Sequence, residues 1–71
     1  MSEAMERIVG AYVELRNRKA LEDMKDHRHR LATELKSLNG QLNLSSSIKL
    51  LEEEIAVIEA GLAKLNTAAP A

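Results

Sequence analysis

The chain has 71 residues, a formal charge of −1, no cysteine, a single aromatic residue (Tyr12) and a single proline (Pro70). That length allows one small domain. The lack of cysteine excludes disulfides and thiolate metal sites as staples, and near-neutrality gives no gross attraction to nucleic acid or an anionic membrane. A composition rich in Leu, Ala, Glu, Lys and Arg reads as helix and coiled coil, and so small a scaffold without staples needs close helix packing or oligomerisation.

The charge is unevenly placed. Residues 1–15 carry Glu3, Glu6 and Glu14 against Arg7, residues 16–36 have seven Lys/Arg against four Asp/Glu, and residues 37–71 carry Lys49 and Lys64 against Glu52, Glu53, Glu54 and Glu59. No apolar run approaches the roughly 20 residues of a membrane span. The N-terminus lacks the basic and apolar regions of a signal peptide, so an intracellular, cytoplasmic location with no membrane partner is expected.

In chain order, Ser2 is a plausible N-cap, with Glu3 and Glu6 suited to the positive helix end. No proline follows before Asn39-Gly40, a stop signal in which glycine supplies the left-handed conformation. The first predicted helix therefore runs over about 2–39, roughly 54 Å. Residues 40–46 form a connector whose Leu42 and Leu44 fold back over the end of the structure. A serine among Ser45, Ser46 and Ser47 caps the second helix, and the sequence does not choose between them. That helix, about 46–66, carries the sharpest pattern in the chain: Ile48, Leu51, Ile55, Ile58, Leu62 and Leu65, at alternating spacings of three and four, form one apolar seam that asks for a helical partner. Residues 67–71 are expected to form a disordered tail after a single domain of residues 1–66.

The fold expected is all-α: an antiparallel helical hairpin of unequal helices that assembles into a dimeric helical bundle. The second helix covers only the half of the first nearest the connector, where Ala20, Met24, His27, Leu31, Leu35 and Leu38 recur at helical spacing. Met24, Leu31, Leu35 and Leu38 are the seam residues expected on that side. The rest of the first helix projects as an overhang with a broad apolar face of Met5, Ile8, Val9, Tyr12, Val13 and Leu15, the expected interface to a second copy or another protein. Leu50 and Val57 form a second apolar flank on the second helix. A second flank implies contact with more than one helix, which a two-helix monomer cannot supply.

Candidate chemistry is sparse. His27 and His29, two residues apart on a helix, cannot chelate one metal within a chain. Asp23 and His27 share a face but fall short of a ligand set. The expectation is no metal and no cofactor, with His27 on or beside the seam and paired with Asp23; were His27 buried, association would be pH-sensitive, and the sequence does not choose between a buried and an exposed His27. Arg16, Arg18, Lys19, Arg28 and Arg30 are the candidate contacts to an anion or acidic partner. They are interleaved with acids, as in the four-residue pairs Glu14–Arg18 and Asp26–Arg30. They also have Glu52, Glu53 and Glu54 to meet, on the same chain or another. Those three glutamates fan out over about 200° and cannot converge as a catalytic pair. Ser45–Ser47 have no adjacent base, so no catalytic residues are assigned and an enzyme is not expected. Asn17, between Val13 and Ala20, is either a buried residue that fixes register or an exposed one.

The stretch from Ile8 to Lys19, IVGAYVELRNRK, resembles the opening of small helical proteins of tailed phages, in which a Tyr-Val-x-Leu-Arg type segment leads into a charged coiled coil. The resemblance covers residues 6–38, and the usual C-terminal part of such proteins is absent. It implies a phage-encoded accessory protein and assigns no mechanism. The function expected is a non-catalytic protein-interaction module, such as a small regulator or inhibitor of a host protein, that also binds itself. The alternatives are a nucleic-acid-binding accessory protein using the basic zone, and a structural subunit of a virion or ring.

Overall fold

The computed structural model describes residues 3–40 and 42–67, and among them the chain forms three helices: α1 (Glu3–Glu14), α2 (Arg18–Leu38) and α3 (Ser45–Thr67). The expected N-cap Ser2 and residues 68–71 of the expected tail lie outside the described residues, while Thr67 ends α3.

The largest departure from expectation is that the first helix is not continuous over 2–39. It breaks at Leu15-Arg16-Asn17 without a glycine or proline. Arg16 takes the left-handed conformation, φ 55°. Its N–H donates to the Val13 carbonyl at 3.0 Å, and the Asn17 N–H donates to the Tyr12 carbonyl at 2.9 Å. These two bonds are the pair that closes a Schellman motif, satisfying carbonyls that a helix end leaves orphaned. Asn17 then starts the next helix: its Oδ1 accepts from the Ala20 N–H at 3.1 Å. Asn17 is thus an exposed N-cap and not a buried register residue. Glu14 and Arg18 fall on different helices, so the expected four-residue pair between them is lost.

An arginine in the left-handed region costs about 1–2 kcal/mol. The return is burial. Met5 and Val9 are 6 % and 4 % exposed and join Leu21, Ile58, Leu62 and Leu65 in one cluster, and each such side chain contributes about 1.5–3 kcal/mol when removed from water. A straight helix would have left both in solvent. The overhang expected from the sequence is therefore folded back onto its own chain. A helix of this length is marginal alone, so α1 exists because it docks.

α1 rests mainly on α3 and only lightly on α2. The contact is close at Gly61, where an added Cβ would collide with Val9 Cγ1 and lie 3.3 Å from Val13 Cγ2. Glycine here is a matter of space. The second flank of α3 finds its extra neighbour in α1, since Val57 lines the α1–α3 groove and packs against the cluster. For Val57 that neighbour comes from within the chain, while Leu50, the other residue of the flank, stays 45 % exposed.

α2 and α3 run in opposite directions. Arg18, Glu22 and Lys25 at the start of α2 share a shallow groove with Glu59, Leu62, Ala63 and Asn66 near the end of α3, and Lys36 near the end of α2 pairs with Glu52 in the first half of α3 at 3.3 Å. On α3, Ile48, Ile55, Ile58, Leu62 and Leu65 are buried and Leu51 is half-buried. On α2 the buried face is turned from the expected one. Leu21 is fully buried and Ala32 nearly so, Met24 and Leu35 are half-buried, and Leu31 and Leu38 are 36 % and 45 % exposed. His27 is exposed, and Asp23 pairs with Lys19 at 3.0 Å. A pH-sensitive switch based on a buried His27–Asp23 pair therefore has no footing.

The connector differs in detail. α2 ends at Leu38, but no described glycine has a positive φ, so Gly40 does not supply a left-handed stop. α3 begins at Ser45, which places the serines in its first turn. Asparagines hold its entrance: Asn39 Oδ1 accepts from the Leu44 N–H at 2.7 Å and Asn43 Oδ1 from the Ser45 N–H at 3.4 Å. The whole is long and thin, 50 × 20 × 15 Å, with a radius of gyration of 13.7 Å against about 11 Å for a compact domain of this length.

Two stability changes follow. Gly61→Ala gains up to about 1 kcal/mol of helix propensity but overpacks against Val9 at about 1–3 kcal/mol. The expected outcome in urea denaturation is a net loss of about 1–2 kcal/mol, smaller in a Val9→Ala background; equal losses in both backgrounds would show that the two residues do not meet. Arg16→Gly removes the left-handed penalty at some cost in unfolded-chain entropy, so the midpoint should rise by an amount worth about 0.5–1 kcal/mol.

Candidate interaction surface

The α2–α3 layer has two faces of different character. The back carries Arg18, Glu22, Lys25, Glu59 and the Lys36–Glu52 pair. The front is apolar, and α1 covers only part of it. On α3, the stripe that carries Gly61 and Val57 under α1 continues at helical spacing to Glu54 and Leu50. On α2, the stripe that carries Met24 continues through Arg28 to Leu31, Leu35 and Leu38. The helical rise makes α1 about 18 Å long and α2 about 31 Å, so the connector end of this groove lacks a third helix. By helical spacing, Leu31, Leu35 and Leu38 fall on one side of it and Leu50 and half-buried Leu51 on the other. Leu50 is 45 % exposed.

Arg28 and Glu54 stand where the covered half meets the open half. Arg28 Nε donates to Glu54 Oε1 at 2.9 Å, with side chains 23 % and 25 % exposed, and Arg28 Nη1 reaches the Met24 carbonyl at 3.4 Å. This pair joins the two walls inside one chain. Its partial burial makes it worth more than a surface pair, and loss of one partner leaves the other under-solvated.

The residues singled out in the sequence fall into separate places. Of the six expected interface residues, Met5 and Val9 are internal, Tyr12 and Val13 are half-buried against the cluster, and Ile8 and Leu15 are exposed, Leu15 most of all at 72 %. Of the five candidate anion contacts, Arg28 pairs with Glu54 and Lys19 with Asp23, while Arg16, Arg18 and Arg30 are exposed on different parts of the surface. Leu21, Ala32 and Gly61 are positions that sequence reasoning missed. The seven-residue series Leu21, Arg28, Leu35 was the available signal, hidden by the arginine at its centre.

A groove of about 500 Å³ runs outside the α1–α3 contact, lined by Val9, Val13, Val57, Gly61 and the charged Glu6, Glu14 and Lys64, among others. It is shallow, and its lining holds no nucleophile beside a base. Among the described residues no group of three or more His, Cys, Asp or Glu is placed to hold a metal, and no helix is long and apolar enough to cross a membrane. No protein-family model matches the chain, and neither a curated protein nor a solved structure matches it significantly.

The position of the Arg28–Glu54 pair gives a comparative prediction. Arg28→Ala should cost about 1–2 kcal/mol in chemical denaturation, because the buried part of Glu54 loses its counter-charge. Lys36→Ala, whose pair is more than half exposed on both sides, should cost less than about 0.5 kcal/mol. Equal effects would mean that burial does not distinguish the two pairs.

Proposed function

We propose that this chain is a non-catalytic protein-interaction module that works as a homodimeric helical bundle. Its working surface is the connector half of the front groove. The observation that carries the reading is the run of partly exposed leucines, Leu31, Leu38 and Leu50, which continues the stripes that α1 covers elsewhere. A groove with two apolar helical walls and no third helix accepts an amphipathic helix with residues at three- and four-residue spacing. Exposed apolar surface of this kind on a small chain marks an interaction site. The resemblance of residues 6–38 to small phage proteins suggests the setting: a phage-encoded regulator or inhibitor that occupies a helix of a host protein. Nucleic-acid binding is less well supported, since Arg28 and Lys19 already face carboxylates in the same chain.

The test has two parts. Sedimentation at micromolar concentration should give a mass near twice the 7.9 kDa of the chain, and a single-chain mass at all accessible concentrations would remove the dimer. Tagged protein should retain a defined host protein from lysate, and Leu31→Glu/Leu38→Glu should lose it while keeping wild-type helicity. Retention undiminished by those charges would place the working surface elsewhere.

A further inference from the structure

We infer that the second copy engages by exchange of α1: the break at Leu15-Arg16-Asn17 straightens, α2 extends back through α1 as one helix, and each α1 docks on the α3 of its partner. The inference rests on the homodimer reading above and supplies the contact that makes it.

Three observations converge on the hinge. The first is its conformation. Arg16 is the one described non-glycine residue with a positive φ, so the closed chain holds strain at the point that must open. The second is its composition. The hinge consists of Leu, Arg and Asn, followed by Arg18, Lys19, Ala20 and Leu21, and apart from Asn17 these are good helix formers. Asn17 is the one residue of that run whose propensity disfavours a helix continuous from α1 into α2, the helix that the sequence pattern predicts. The third is the nature of the α1 contact. α1 binds α3 through Val9 and Val13 against Gly61 and is tied to the rest of the chain only by the hinge and a light contact with α2. In an exchanged dimer every one of these contacts to α3 re-forms between chains. The balance between closed and exchanged forms is then set by the hinges and by concentration, and short hinges under strain are the usual setting for exchange.

The closed hinge has its own support in the two Schellman bonds and the Asn17 cap, so substitutions there move the balance in both directions. Arg16→Gly relaxes the closed form and weakens the straight helix; with two hinges per dimer, dissociation should strengthen about tenfold per hinge, or about a hundredfold in all. Arg18→Pro is compatible with the first position of α2 but not with the interior of a continuous helix, and should leave a folded monomer. Asn17→Ala removes the cap and adds a helix former, and should favour the dimer.

The experiment is a distance measurement on the whole chain, which has no native cysteine. Spin labels are placed at Ala4→Cys and Arg30→Cys, and the labelled chain is diluted into excess unlabelled protein so that each dimer carries one labelled copy. A continuous helix separates these positions by about 39 Å along its axis, while the folded-back chain holds them much closer. The expected result is a dimer fraction with the long distance, which disappears in Arg18→Pro and persists in Leu31→Glu/Leu38→Glu. A dimer that keeps the short distance overturns exchange and leaves the homodimer reading standing. A chain that stays monomeric at all concentrations overturns both.

Discussion

The reversal at Arg16 and Asn17 is the constraint on which the rest of the structure depends. Two backbone bonds and one side-chain cap close it, and through it Met5 and Val9 enter the cluster of Leu21, Ile58, Leu62 and Leu65. Without α1 that cluster would have two walls instead of three. Leu21 and Ile58, the two large side chains with no exposure at all, lie in this cluster and not at the connector end. The strain at one residue is outweighed by the burial of two.

The same reversal fixes what is left uncovered. α1 is about half as long as the layer it lies on, and it covers the end nearest the hinge. The connector half of the molecule is therefore two helices thick, and the leucines there are only partly removed from water. The Arg28–Glu54 pair marks the transition. It occupies positions that a longer α1 would have covered, where an apolar pair would extend the core and an ion pair tolerates partial solvent. A shape of 50 × 20 × 15 Å follows from this arrangement. On the proposed reading, the thin end binds and the thick end provides the stability to hold it in shape.

How much of this was legible in the sequence depends on the element. The helix at 45–67 was legible because its apolar residues keep a strict alternation of three and four over most of its length. The demand of Val57 for another helical neighbour was legible too, but the neighbour was sought in a second chain. The break at 15–17 was not legible, because a Schellman turn is normally announced by glycine and here carries arginine. From the sequence Asn17 is a residue within a continuous helix, either buried to fix register or exposed, since an N-cap is recognised by the helix start that it precedes and none is expected there. The face of α2 was misread for a related reason. Arg28 sits half-buried in the series between Leu21 and Leu35, and a charged residue there directs attention to the stripe of Met24, Leu31, Leu35 and Leu38, of which Leu31 and Leu38 are the most exposed. Gly61 carries no signal of its own in the sequence; its meaning appears only when Val9 is placed against it.

These features are coupled, and the coupling bears on function. The open half of the groove continues the groove that α1 occupies, so a helix bound there would meet the Arg28–Glu54 pair and the edge of α1 at the same time. On the proposed reading, its binding would then depend on whether α1 is docked. A glycine at position 16 would fix the closed form, and a better helix former than asparagine at position 17 would weaken it. The sequence has neither. It keeps an arginine that strains the turn beside an asparagine that caps it; on the proposed exchange, that combination would hold the two arrangements of α1 close in free energy without changing the surface that α1 buries.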